Sequence, residues 1–170
     1  MELDKKPHLN LFPYLGIFFL FVAFLLPGHH LPFSSFHQEF LSFVSLMVLV
    51  LWLIVNLKGS IKVSATALVV LIVSSIPLIQ YFFGVIFWFG DAFLASTYLM
   101  ALFFTIIVGQ NIPKGLYKKF AEALFFGVLL AALISSFIVM YQWLDLGGLD
   151  IWVVDVDANT TPGANLAQRN

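Results

Sequence analysis

Polar side chains that can do chemistry lie in a few short stretches of this chain, and the first stretch is the histidine-rich segment 28–39. It reads GHHLPFSSFHQE and places three histidines, His29, His30 and His37, near Glu39. Imidazole and carboxylate groups are ligands that suit a divalent metal such as zinc. The spacing is not that of a known zinc motif, so we favour the interpretation that these side chains flank two helices.

A second polar pair, Gln80 and Asp91, brackets the aromatic stretch 81–90, which reads YFFGVIFWFG. An acidic residue at membrane depth is energetically expensive and marks a functional site by default. Aspartate is also a preferred N-cap residue. Asp91 is therefore predicted to face a ligand, to cap the following helix, or to do both. The aromatic residues are interpreted as lipid or packing contacts rather than as a platform for a sugar ring.

The elements that must position these residues are membrane-spanning helices. Of the 170 residues, 61% are hydrophobic and 10% are charged, whereas a typical soluble domain has about 45–50% and about 25%. This composition excludes an ordinary soluble domain. The chain has no cysteine, which excludes disulfides, thiol nucleophiles and cysteine metal sites.

Five apolar stretches are long enough to cross a hydrocarbon core about 30 Å thick, which takes about 20 helical residues. Lipid offers no partner for an unpaired backbone group, so each stretch is expected to be a helix. Pro77 is expected to kink or end the third. The predicted fold is an all-α, polytopic integral membrane protein with a membrane domain over residues 1–144 and spans at about 11–28, 40–57, 63–84, 92–109 and 120–144.

The lysines predict the orientation of these spans. With five spans, all seven lysines fall on one side of the membrane, and the loops 28–39 and 84–91 on the other side contain no Lys or Arg. The positive-inside rule then places the N-terminus in the cytoplasm and residues 145–170 outside. The lysines that carry this prediction are Lys5, Lys6, Lys58, Lys62, Lys114, Lys118 and Lys119.

The outer segment 145–170 begins with an aspartate-rich stretch. The DVD sequence at 155–157 has the spacing of a D-x-D motif, which can hold a metal-bound nucleotide sugar. Nucleotide sugars are cytoplasmic donors, however, and this segment is predicted to lie outside. We therefore interpret the aspartates as a solvated loop; they are Asp145, Asp150, Asp155 and Asp157.

The chain closes on TPGANLAQRN, residues 161–170, and this run resembles a motif of the PglL-type protein O-oligosaccharyltransferases, relatives of the O-antigen ligases. In that family a similar run follows the fifth span on the periplasmic side. Residues 77–93 (PLIQYFFG, then FGDAF) look like the family's junction between the third and fourth spans. Residues 31–42 (LPFSSFHQEFLS) are similar to its first periplasmic loop.

The resemblance implies metal-independent and cofactor-free transfer of a glycan from an undecaprenyl-pyrophosphate carrier to Ser or Thr of an acceptor protein. The reaction would take place on the periplasmic face of the bacterial inner membrane, with no nucleic acid as partner. Gln168 matches the family's essential glutamine and is the implied catalytic residue. The implied substrate-binding residues are Arg169, at a position where the family often has proline, and Asn165, Asn170, Gln80 and Asp91.

One departure from the family concerns length. The family's essential histidine lies in a large periplasmic loop downstream of residue 170, and His29, His30 and His37 do not match it. The chain is therefore expected to be an N-terminal portion that is inactive alone. An O-antigen ligase acting on lipid A core and a polysaccharide polymerase would use the same donor. A non-catalytic scaffold or a transporter also fits five spans, although spans almost free of charge argue against an ion path.

Overall fold

The structure, a computed structural model, describes residues 11–26, 36–56 and 59–146. Within these ranges the chain forms five α-helices and no β-strand, which confirms the predicted all-α fold. The helices are α1 (Phe12–Leu25), α2 (Phe36–Asn56), α3 (Ala65–Phe82), α4 (Phe89–Asn111) and α5 (Lys114–Trp143).

Four of these helices, α2 to α5, are long and apolar enough to cross a membrane, with mean hydropathy between 2.0 and 2.6. Helices α4 and α5 begin before the predicted fourth and fifth spans, at Phe89 against residue 92 and at Lys114 against residue 120. Helix α1 is shorter, with 14 residues, or about 21 Å at 1.5 Å per residue. The predicted first span runs to residue 28, beyond the described part of α1.

Helix α3 shows how local sequence sets the helix ends. Its N-cap is Ser64, whose Oγ accepts a hydrogen bond from the Ala67 N–H at 3.2 Å, and serine is among the preferred caps. Pro77 lies inside the helix, which continues to Phe82. The expectation that Pro77 could end this span is therefore wrong. A proline inside a helix leaves one carbonyl without its usual donor, which a membrane helix tolerates when its neighbours pack closely.

The chain divides into two compact units, of which the first comprises residues 1–48 and 117–170. In the described part of this unit, α1 buries small residues, including Gly16 and Ala23. The Ser45 Oγ of α2 donates a hydrogen bond of 2.6 Å to the Gly16 carbonyl. On α5, a Cβ added at Gly127 would lie 3.5 Å from the Ile17 Cγ2. Small residues at these positions allow the helix backbones to approach closely.

The second unit, residues 49–116, is built around the antiparallel pair α3 and α4. We call α3, the turn at 83–88 and α4 together the hairpin. Ala67 of α3 and Ala92 of α4 are both completely buried, because alanine lets the two backbones pack closely. The core of this unit comprises Trp52, Leu53, Ala67, Ile107 and Val108.

Candidate functional site at the hairpin tip

The turn between α3 and α4 is closed by its own backbone. The N–H groups of residues 83–85 donate to carbonyls in the last turn of α3, with donor–acceptor distances of 2.9 to 3.1 Å. Gly84 has a φ of 73°, a left-handed conformation that glycine adopts without steric cost. The reversal therefore depends on a glycine at this position and leaves the ends of both helices well defined.

Aromatic contacts join the two helices next to this turn. The ring centroids of Tyr81 on α3 and Phe89 on α4 lie 5.5 Å apart in an edge-to-face arrangement. Phe89 in turn stacks on Phe93 at 5.7 Å. Such ring pairs contribute about 0.5–1.5 kcal/mol beyond the area they bury. They position the last turn of α3 against the first turn of α4, where the two predicted site residues lie.

Gln80 and Asp91 both lie at this tip, and both are exposed. Among the described residues, neither side chain has a hydrogen-bond or ion-pair partner. The N-cap of α4 is Trp88, without a side-chain hydrogen bond, and Asp91 lies in the first turn. The hypothesis that Asp91 caps α4 is therefore wrong. A carboxylate in the first turn is still favoured by the helix dipole.

The pair can bind a ligand rich in hydroxyl groups. The Gln80 amide both donates and accepts hydrogen bonds, and the Asp91 carboxylate accepts them. Asp91 is also the single acidic residue in the sequence from 49 to 116. The tip thus combines a negatively charged hydrogen-bond acceptor, an amide and exposed aromatic rings. A role for the pair in substrate binding stays a prediction.

The predicted residues of the C-terminal segment lie outside the described residues, namely Gln168, Arg169, Asn165, Asn170 and the aspartates at 150, 155 and 157. Of the histidine segment, His29 and His30 also lie outside, and His37 and Glu39 belong to the first two turns of α2. Within the described ranges, no group of three or more His, Asp or Glu side chains is placed to hold a metal ion.

Sequence reasoning missed a polar contact at the opposite end of the hairpin, which we call the amide clamp. The Asn111 side chain accepts from the Lys62 N–H at 2.8 Å and donates to the Lys62 carbonyl at 2.9 Å. The Gln110 side chain accepts from the Ser64 N–H at 3.2 Å and donates to the Ser64 Oγ at 2.6 Å. The signal in the sequence is a pair of adjacent amides that ends an apolar span just before Pro113.

The amide clamp holds the segment before α3 against the end of α4. Its bonds to Lys62 reach only backbone atoms, so the lysine side chain is left outside the contact. The Ser64 Oγ takes part twice, as the cap of α3 and as the acceptor for Gln110. The contact thus closes the hairpin at the end opposite to Gln80 and Asp91.

These features define an all-α membrane protein with several spans, in which a polar pair and exposed rings meet at one helix turn. The chain is 32% identical over 154 residues to a general O-oligosaccharyltransferase of Acinetobacter baylyi. The match covers 88% of this chain and 26% of that protein, so the chain spans about a quarter of the length of this relative. No protein-family model matches the chain, and no solved structure does. The similarity supports a distant relationship to the Acinetobacter protein.

Proposed function

We propose that these helices belong to a membrane enzyme that transfers an oligosaccharide from an undecaprenyl-pyrophosphate carrier to Ser or Thr of a protein. The observation that carries the proposal is the 32% identity to a protein that is itself named as an O-oligosaccharyltransferase. Because the match covers 26% of that relative, the proposed activity is that of the whole enzyme.

The hairpin supports a periplasmic location for the reaction. Its amide clamp lies beside Lys62, and the positive-inside rule favours the cytoplasmic face for this lysine. Helix α3 has 18 residues and is about 27 Å long, which nearly matches a hydrocarbon core of about 30 Å. With Lys62 at the cytoplasmic face, Gln80 and Asp91 lie at the periplasmic face. A lipid-linked glycan exposed on that face would meet these two residues.

In the proposed transfer, the acceptor hydroxyl oxygen bonds to the anomeric carbon of the glycan. The bond between that carbon and the phosphate oxygen breaks, the pyrophosphate leaves, and the hydroxyl proton passes to a base. Arg169 would pair with the leaving pyrophosphate, for which a guanidinium fork is well shaped. Gln168 would hydrogen-bond the donor or the acceptor, and Asn165 and Asn170 would position the segment or the sugar.

A chimera tests the proposal. The 170 residues replace the matched segment of the Acinetobacter baylyi enzyme, in a strain that lacks the native copy. Mass spectrometry of Ser- and Thr-linked glycopeptides then measures transfer. Restored protein glycosylation is expected. A chimera that inserts in the membrane but yields no glycopeptide would overturn the proposal, and glycan on lipid A core alone would favour the ligase.

Within that chimera, Gln168→Ala is expected to lower the glycopeptide yield by about tenfold or more, since a hydrogen bond to a charged group contributes about 1.5–3 kcal/mol. Asn159→Ala is the matched control, because it removes an amide from the same segment. Equal yields from the two variants would remove Gln168 from the mechanism. Such a result would not bear on the proposed transfer activity, which the unsubstituted chimera tests.

A further inference from the structure

The turn of the hairpin exposes the most solvent-accessible large apolar side chains of the described chain. We call Phe82, Phe83, Phe87 and Trp88 the tip surface; their exposed fractions run from 75% for Trp88 to 88% for Phe87, and no other large apolar side chain in the described ranges exceeds them. Isolated exposed apolar residues are normal, but a contiguous apolar patch marks an interaction site. We propose that the tip surface inserts into the boundary between headgroups and acyl chains of a phospholipid bilayer.

The backbone of the turn is suited to that layer. The N–H groups of residues 83–86 all donate to carbonyls of residues 79–81, and the longest of these bonds is 3.4 Å. A backbone donor without a partner costs several kcal/mol in a low-water environment. A turn that satisfies four consecutive donors internally can therefore enter the edge of the hydrocarbon layer.

The position of the tip surface along the hairpin fits the same occupant. The sides of α3 and α4 that carry Ile72 and Leu102 are exposed and apolar along the helices, so they face the acyl chains in a membrane protein. The tip surface lies at the end of these two helices, just beyond Gln80 and Asp91. At about 27 Å from the Ser64 cap, it lies where the hydrocarbon core of about 30 Å ends.

The residue types set the depth of insertion. Tryptophan prefers the membrane–water boundary, whereas the three phenylalanines carry no polar atom on the ring. Gln80 and Asp91, directly behind the turn, need water or polar headgroups as partners. The tip surface is therefore held on the headgroup side of this boundary, because Gln80 and Asp91 lie about 5 Å, or one helical turn, nearer the hydrocarbon core. This insertion does not depend on the proposed transfer activity.

The experiment uses the absence of cysteine from the chain, so that a single introduced cysteine can carry a spin label without background. Phe87→Cys is labelled in the full chain, reconstituted in vesicles of phosphatidylethanolamine and phosphatidylglycerol. Ile72→Cys, on the exposed side of α3, reports the acyl-chain region, and Ser60→Cys, in the exposed segment before α3, reports water. Collision rates with oxygen and with a water-soluble nickel complex give the depth of each label.

The depth of the label at position 87 is expected to lie between those of the two controls. Its collision rate with nickel should be several-fold lower than that of the label at position 60, and its collision rate with oxygen should be higher than that of the label at position 60. Nickel accessibility equal to that at position 60 would place the tip surface in water and overturn the proposal. Shielding from both reagents would also overturn it, because a protein surface would then be the occupant. Phe83→Cys repeats the measurement if Phe87→Cys lowers the helix content measured by circular dichroism.

Discussion

The buried hydrogen bond between α1 and α2 allows a direct measurement of what one polar contact contributes between two helices. Ser45 is 3% exposed, and its Oγ donates to the Gly16 carbonyl at 2.6 Å. Substitution of Ser45 by alanine removes the donor with little change in volume. Ser42→Ala is the matched control, because the Ser42 Oγ donates to the Gln38 carbonyl within α2 itself.

The size of the effect follows from what each serine loses. The Gly16 carbonyl lies inside a helix and keeps its helical N–H partner, so Ser45→Ala leaves no orphaned acceptor. The cost is then that of one hydrogen bond between membrane helices, about 0.6 kcal/mol on average and up to about 1.7 kcal/mol. The bond of Ser42 is local and persists when the helices separate. Ser42→Ala is therefore expected to change the free energy of unfolding by less than about 0.5 kcal/mol.

The assay is reversible unfolding in mixed micelles, in which helicity is followed by circular dichroism as the fraction of denaturing detergent rises. The difference between the two variants isolates the contact between helices, because both replace serine by alanine in the same helix. Equal unfolding free energies for Ser45→Ala and Ser42→Ala would refute the reasoning. A more stable Ser45→Ala variant would do so as well.

Three further substitutions test the other packing features. Asn111→Ala should increase the hydrogen exchange rate of the backbone N–H at position 62. Lys62→Ala should keep the amide clamp, because the clamp binds backbone atoms. Equal exchange rates of this N–H in the two variants would contradict this expectation. Gly127→Leu should lower stability by about 1–3 kcal/mol through overpacking in a detergent titration, whereas Gly115→Leu, where nothing lies within 4 Å of a new Cβ, should be neutral. Gly84→Ala should cost about 1–2 kcal/mol because of its positive φ, and a thermal unfolding midpoint equal to that of the wild type would argue against a strained turn.

The sequence contained enough information to locate helices α2 to α5, because long apolar runs in a membrane protein form helices almost without exception. It did not locate the start of α5. Hydropathy does not register the polar first turns of that helix, where Lys118 and Glu122 form an exposed pair at 3.8 Å. This pair supports helix formation ahead of the apolar run.

The amide clamp could not be predicted from the sequence, because Asn111 and Lys62 are 49 positions apart and no local pattern connects them. The placement of Gln80 and Asp91 at one tip could be predicted from the sequence, since a short aromatic turn separates two spans. The N-cap of α4 could not be predicted, because Trp88 takes that position without a side-chain hydrogen bond. The roles assigned to Gln168 and Arg169 stay predictions.

The length of α5 couples the tilt of this helix to the thickness of the membrane. Its 30 residues measure about 45 Å, and its apolar part after Glu122, from Ala123 to Trp143, measures about 32 Å, against a hydrocarbon core of about 30 Å. Helices with this hydrophobic mismatch tilt or thicken the bilayer around them. A tilt of about 20° brings the apolar part to the thickness of the core, within the range of about 0–40° seen for membrane helices. A thicker bilayer would set α5 more upright, so lipid chain length acts as a control on the angle of this helix.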